Sequence, residues 1–290
     1  MEHVEHVQRV KRRQRPSTGP LRRACVFLAV PLWLMLLLSS TAGGPALAQD
    51  HAREARWRKE TLATLSAGEA VDLVQASGHR VLALHLPAAT QVMQATQATQ
   101  ATQAPRGAVI IAHGRGWGPD YELYNALRVQ LAEAGYTTLS VQMPVLESTA
   151  KIGDYVPTYP DAAERFELAA SWLAARGHRR IAIVSHSLGA TMANYYLARA
   201  ATGPVRAWVF ISIINGLEDM VRIRIPVLDI FGGKDWDVTR VGADERRRQI
   251  ERHPRSRQVQ VPGAPHFFDG QQEELVGELR RFLDRAMAPE

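Results

Sequence analysis

From residue 108 onward the chain alternates short apolar runs with longer amphipathic stretches. The runs fall at 108–112, 137–142, 181–185, 207–213, 227–231 and 258–261. Short, mostly apolar strands separated by helix-length segments predict a buried parallel sheet with helical crossovers. The crossover helices are expected at 121–134, 161–175, 190–200 and 240–252. A last stretch, 271–287, places Leu275, Leu279, Phe282 and Leu283 on one helical face. Upstream, between 69 and 86, two stretches rich in Val and Leu flank the turn-like tetrad Ala76-Ser77-Gly78-His79 and predict an antiparallel hairpin at a sheet edge. The expected class is therefore α/β: a mostly parallel central sheet with helices on both faces and an N-terminal antiparallel hairpin.

Two segments break this pattern. Gln94-Ala95-Thr96 is repeated at 97–99 and 100–102, a tract with little apolar material, read as a low-complexity insertion spanning 88–105. Residues 1–48 have the form of an export signal: a basic stretch to Arg23, an apolar run over 24–38 interrupted by Pro31, and small residues ending in Ala46-Leu47-Ala48. Cleavage after Ala48 is expected, with the mature domain spanning 49–290. The run is short for a spanning helix, so no stable transmembrane segment is expected after cleavage. The expected destination is the periplasm in a Gram-negative cell, or the medium otherwise.

Charge then changes the picture less than it first promises. The whole chain of 290 residues carries a net +6, but 1–48 hold seven basic and two acidic residues. The remainder has 28 basic against 27 acidic residues, a net of +1, so no global field draws polyanions and no nucleic-acid partner is expected. Arg246-Arg247-Arg248 reads as a solvated helix face. The single cysteine, Cys25, lies in the signal, which removes disulfides, a cysteine nucleophile and thiolate metal sites from the mature protein.

The chemistry concentrates at Ile181-Ala182-Ile183-Val184-Ser185-His186-Ser187-Leu188-Gly189-Ala190. An apolar strand ends, Ser187 sits between small residues at minus two and plus two, and a helix begins. A nucleophile elbow needs this arrangement, because the serine occupies a strained turn and its neighbours must let strand and helix pass closely. Serine rather than glycine at minus two is the departure from the usual pattern.

These residues resemble the α/β-hydrolase superfamily, and the resemblance runs from about Glu69 to the end of the chain. His113-Gly114-Arg115-Gly116-Trp117-Gly118-Pro119-Asp120, followed by Leu139-Ser140-Val141-Gln142-Met143-Pro144, is similar more narrowly to the DUF3530 family of exported bacterial hydrolase-like proteins. The superfamily resemblance implies an oxyanion hole formed by the backbone N–H groups of Arg115 and Leu188, with His113 a structural loop residue. It also implies an acid in the loop after a late strand. Asp235, in Phe231-Gly232-Gly233-Lys234-Asp235, occupies that position. Asp237 on the same loop, Asp229 inside the strand and Asp219 after the preceding strand are its rivals. The base belongs after the final strand, where Val261-Pro262-Gly263-Ala264-Pro265-His266 supplies His266. Ser187, Asp235 and His266 run in the chain order that this fold uses.

His186 is expected to line the site or the sheet edge, and His178 and His253 to face solvent at helix ends. No HxxxH or HExxH spacing appears, so no catalytic metal is expected, and neither a phosphate loop nor GxGxxG points to a cofactor. Residues 143–159, with Tyr155 and Tyr159, could form a cap or substrate-facing loop, and Trp117 and Trp236 are placed near the site rim. The expected activity is hydrolysis of an ester or related acyl bond in a small-molecule or lipid-like substrate, through an acyl-enzyme. The alternative is a non-catalytic protein of this fold that binds a component of the cell envelope.

Overall fold

A computed structural model describes residues 49–89, 106–200, 203–214 and 216–288. The signal segment, Cys25, the triplet repeat and nearly all of the 88–105 insertion lie outside the described residues. The described strands form one eight-stranded sheet in the order β1-β2-β4-β3-β5-β6-β7-β8. These are β1 (Glu69–Val74), β2 (Arg80–Leu86), β3 (Gly107–Ala112), β4 (Tyr136–Val141), β5 (Ile181–His186), β6 (Val205–Ile211), β7 (Val227–Gly232) and β8 (Arg257–Val261). The hairpin β1–β2 is antiparallel and joins antiparallel to β4, and β3 to β8 pair in parallel with their neighbours.

Alternation along each strand divides the core in two. In β3, Ala108, Ile110 and Ala112 face α3 (Tyr159–Ala174) and α4 (Leu188–Arg199), where Phe166, Leu173, Met192 and Ala193 meet them. Val109 and Ile111 face the opposite layer, made by α2 (Glu122–Glu133) and α7 (Gln272–Ala286) through Leu127, Leu131, Leu279 and Phe282. Burial on both faces is what makes these strands continuous apolar runs in the sequence.

The region expected as one helix at 240–252 is two, α5 (Asp237–Val241) and α6 (Ala243–Ile250), broken at Gly242. Glycine is a weak helix former, and Arg246 fills the gap there. Its Nη1 donates to the Thr239 carbonyl (2.8 Å), an acceptor that an unbroken helix would give to the amide of residue 243. Arg246 also corrects the solvated-face reading of the arginine run. It is buried and its Nε donates to Asp229 Oδ2 at 2.8 Å, whereas Arg247 and Arg248 stay exposed beside Asp244 and Glu245. Successive residues on a helix turn by about 100°, so one of three adjacent arginines can point inward.

The sequence pattern also misses α1 (His51–Thr64), capped by Asp50, whose Oδ1 accepts from the Arg53 amide at 2.8 Å. Glu54 is its only buried residue. It has no apolar stripe to announce it, and polar contacts hold it: the Asp50 amide donates to the Val145 carbonyl, and Arg53 Nη1 to the Leu146 carbonyl. Residues 143–159 form no separate cap; they run through a 3₁₀ turn (Ile152–Thr158) straight into α3.

Candidate active site

The elbow is built as the sequence suggests. Ser187 follows β5 directly and has φ 55° and ψ −122°, a left-handed backbone that costs about 1–3 kcal/mol for a residue with a side chain. The Ser187 amide donates to the Ile211 carbonyl (2.9 Å), and the Ser187 carbonyl accepts from the Ala190 amide (3.0 Å), which together hold the turn. Glycine is required at plus two because a Cβ on Gly189 would lie 2.3 Å from the His113 carbonyl oxygen. Serine at minus two has its own reason. The Ser185 hydroxyl accepts from the indole Nε1 of fully buried Trp208 (2.9 Å) and donates to the Val209 carbonyl (3.2 Å). A glycine there would leave that indole without this partner.

Three buried side chains then meet across three loops. His266 Nδ1 donates to Asp235 Oδ1 at 2.6 Å, which leaves Nε2 to accept from the Ser187 hydroxyl at 3.1 Å. The loop that carries Asp235 is pinned to the one that carries His266: the Gly233 amide donates to the Val261 carbonyl (2.8 Å) and the Lys234 amide to the Ala264 carbonyl (2.9 Å). Burial would raise the Asp235 carboxyl. Hydrogen bonds from His266, Ser212 and the Trp236 amide (2.7 Å) outweigh it and hold the carboxyl below the ordinary aspartate range. Trp236 covers one face of the imidazole, stacked at 3.6 Å and 8°.

Of the rival acids, none meets His266. Asp237 is exposed and pairs with Arg240. Asp219 is exposed ahead of the 3₁₀ turn Met220–Arg222. Asp229 is bound to Arg246 and to Gln258 Nε2 (2.7 Å), and burial pushes its carboxyl up.

The loop after β3 lies against the serine, since a Cβ on Gly114 would stand 3.1 Å from Ser187 Cβ. Arg115 follows it, with an exposed side chain whose Nη1 donates to the Ala150 carbonyl (2.9 Å). Leu188 is the first residue of α4, so its amide belongs to the turn that has no intrahelical acceptor. The loop is anchored at Asp120, which accepts from buried Arg128 at 2.6 Å, and at the Pro119 carbonyl, which accepts from Ser140 at 2.6 Å. His113 is structural: Nε2 accepts from the Met143 amide (2.8 Å), so Nδ1 donates to the Gly114 carbonyl (2.9 Å), and burial holds its pKa down at about 4.

Sequence reasoning missed two groups and understated a third. Ser212, at the end of β6, donates to Asp235 Oδ2. Tyr124 of α2 accepts from the Gly114 amide (2.8 Å) and donates to His186 Nδ1 (2.9 Å). His186 in turn donates from Nε2 to the His266 carbonyl (3.0 Å), and burial keeps it neutral, with a pKa of about 3. The loop after β3, the elbow and the loop that carries His266 are thus tied by one hydrogen-bonded chain. His178 and His253, expected at the surface, are half-buried. Trp117 and Trp236 do sit by the site. Trp117 stacks on Tyr121 at 3.8 Å and meets Phe267 edge-on at 5.7 Å, opening onto a groove of about 470 Å³ whose far wall includes Arg53 and Trp57 of α1.

The fold is shared with solved structures of low sequence identity. A lidless α/β serine hydrolase from Xanthomonas campestris is 18% identical, covers 78% of this chain and 97% of its own, and superposes with a TM-score of 0.59. A dienelactone hydrolase from Anabaena variabilis gives 19%, 75%, 97% and 0.58, and an esterase from Pyrococcus furiosus 17%, 76%, 91% and 0.60. No curated protein sequence matches the chain. Residues 109–289 match the sequence profile of the alpha/beta hydrolase family, and with the sheet order and the elbow in place the chain belongs to that family.

Proposed function

We propose that this protein is a serine hydrolase that cleaves an ester or related acyl bond through an acyl-enzyme on Ser187. The observation that carries the reading is the unbroken hydrogen-bonded line from Asp235 through His266 to a serine on a strained elbow. The Ser187 hydroxyl attacks the acyl carbonyl while its proton passes to His266 Nε2. The oxyanion is received by the N–H groups of Arg115 and Leu188, each worth about 3 kcal/mol in lowering the barrier. His266 returns the proton to the leaving group as the tetrahedral species collapses. Water then repeats the sequence on the acyl-enzyme, and Ser187 is regenerated. The Asp235 carboxylate holds the imidazole tautomer and stabilises the imidazolium; Trp236, stacked on the ring, adds a π-face to the same cation. The groove beside Trp117 and Tyr121 receives the distal part of the substrate.

Narrower parts of the reading rest on the sequence. Among the described residues no helix is long and apolar enough to cross a membrane. The basic, apolar and small-residue segments of 1–48, with the resemblance to DUF3530, support export with Gln49 as the mature N-terminus. Exported protein that retains 1–48 by intact mass would contradict this. Activity is tested with p-nitrophenyl esters of increasing acyl length, wild type against Ser187→Ala. Turnover by the wild type that the variant loses is expected; equal rates would contradict the mechanism.

A further inference from the structure

At the N-terminal end of α1 a second group of side chains converges. His51 and Glu54 stand three apart on the helix, and His79 comes from the turn that joins β1 to β2. One ligand atom from each lies within 4.8 Å of the others. The two imidazole rings are 4.1 Å apart between centroids, and His79 Nε2 lies 3.0 Å from Glu54 Oε2. Two donors that each sit about 2.1 Å from one tetrahedral ion are separated by about 3.4 Å, so opening the His79–Glu54 contact by about 0.4 Å would seat the ion. From this convergence we infer that His51, Glu54 and His79 form a binding site for a divalent transition ion, zinc above all, that clips α1 to the β1–β2 hairpin.

The surroundings fit that ion. Glu54 Oε1 accepts from Gln49 Nε2 (2.6 Å) and from buried Arg165 Nη2 (3.1 Å), so one carboxylate oxygen is fixed and the other is turned toward the histidines. Metal-binding carboxylates are oriented in this way by their outer partners. Two further carboxylates lie against the same turn. Asp161 and Glu164 hold Gln75 Nε2 at 2.6 and 2.9 Å, and Glu164 also accepts from the Ala76 amide in the same turn. With Glu54 they bring three carboxylates to this turn, two of which, Glu54 and Asp161, also pair with Arg165. Two imidazoles and a carboxylate also match the donor preference of zinc, while calcium and magnesium prefer all-oxygen cages.

The clip has a structural purpose. A helix with one buried residue gains little from apolar burial, and α1 is held by polar contacts at its first turns. An ion bridging its N-terminal turn to the hairpin would fix a wall of the groove that Arg53 and Trp57 line. No local motif announces the site, because 25 residues separate Glu54 from His79 and only the hairpin brings them together.

The test uses the full chain, titrated with zinc chloride after exhaustive chelation and followed by calorimetry and thermal unfolding. Two variants accompany the wild type: His51→Ala, at an exposed position, and His79→Gln, which keeps a hydrogen-bond donor toward Glu54. The wild type should bind one zinc equivalent more than either variant, or bind it at least about 100-fold more tightly. Zinc at a hundred times the dissociation constant should raise its melting temperature by about 5–10 °C. Magnesium and calcium should do neither, and both variants should melt like the metal-free wild type and not respond. Equal zinc stoichiometry and affinity in all three proteins, or a wild type whose melting temperature zinc leaves unchanged, would reduce the cluster to a hydrogen-bonded pair and overturn the inference. Neither result depends on ester hydrolysis.

Discussion

Ser212 donates its hydroxyl proton to Asp235 Oδ2, the carboxylate oxygen that His266 leaves free. The serine is fully buried and adopts φ 52°, and its own amide donates to the Ile230 carbonyl (2.9 Å) across the β6–β7 ladder. The acid is therefore aimed from the neighbouring strand end as well as from its own loop. In Ser212→Ala the remaining donor toward Oδ2 among the described residues is the Gly232 amide, at a long 3.5 Å. A hydrogen bond to a charged group is worth about 1.5–3 kcal/mol, so the variant should lose roughly 10- to 100-fold in kcat with little change in KM. Steady-state kinetics on a short ester decide it; an unchanged kcat would show that the Asp235 loop orients itself without Ser212.

Asp235→Asn should reduce kcat by about three to four orders of magnitude at neutral pH, because the carboxylate interacts most strongly with the imidazolium as that charge forms. Asp237→Asn and Asp219→Asn, at exposed positions away from the ring, should stay within a few-fold of the wild type. A crippled Asp237 or Asp219 variant beside an active Asp235 variant would move the acid elsewhere.

Tyr124→Phe removes one hydroxyl and leaves two buried partners, the Gly114 amide and His186 Nδ1, without it. Unsatisfied buried groups cost about 1–3 kcal/mol each. Denaturant unfolding should show a loss of at least about 1 kcal/mol, with an m-value close to that of the wild type. A variant as stable as the wild type would mean that the chain from the Gly114 amide to the His266 carbonyl contributes nothing to folding.

His113 and His186 are both buried neutral, with folded pKa values of about 4 and about 3 against an ordinary histidine value near 6.5. Folding lowers both, so below about 6.5 the unfolded chain binds more protons. The stabilisation is complete above that pH and declines as pH falls toward about 4 and about 3. The slope should be roughly 1.4 kcal/mol per pH unit for each histidine. Unfolding free energies measured at pH 7, 6 and 5 should fall accordingly, and less steeply in His186→Gln. Constant stability between pH 6.5 and 5 would contradict the buried neutral state.

Strands buried on both faces announce themselves as mostly apolar runs, so β3 to β7 were legible in the sequence to within about two residues at each end, whereas the half-exposed edge strand β8 showed only alternating valines. The elbow was legible because its geometry restricts the residues: Gly189 has no room for a side chain, and strand and helix pass closely on either side of Ser187. Ser187, Asp235 and His266 each stand after a strand end, those of β5, β7 and β8, and the superfamily resemblance supplied their order. The rest lacked any periodic signal. Helix α1 buries a glutamate instead of an apolar stripe, and at the Gly242 break Arg246 reaches back to the Thr239 carbonyl, a contact that no periodicity signals. Ser212 was absorbed into an apolar run read as 207–213, although β6 ends at Ile211 and leaves that hydroxyl at the strand end. Tyr124 lies 62 residues from His186, and only the folded sheet brings them to 2.9 Å.

The most direct test of the proposed chemistry is covalent. A fluorophosphonate reacts with a serine that a neighbouring histidine deprotonates, and it mimics the tetrahedral species in doing so. Intact mass and peptide mapping of the labelled full chain should show one adduct, on Ser187, absent from Ser187→Ala and slowed by at least about 100-fold in His266→Ala. A wild-type protein that stays unlabelled under conditions that saturate an ordinary serine esterase, or one labelled at another residue, would contradict the assignment of Ser187 as the nucleophile.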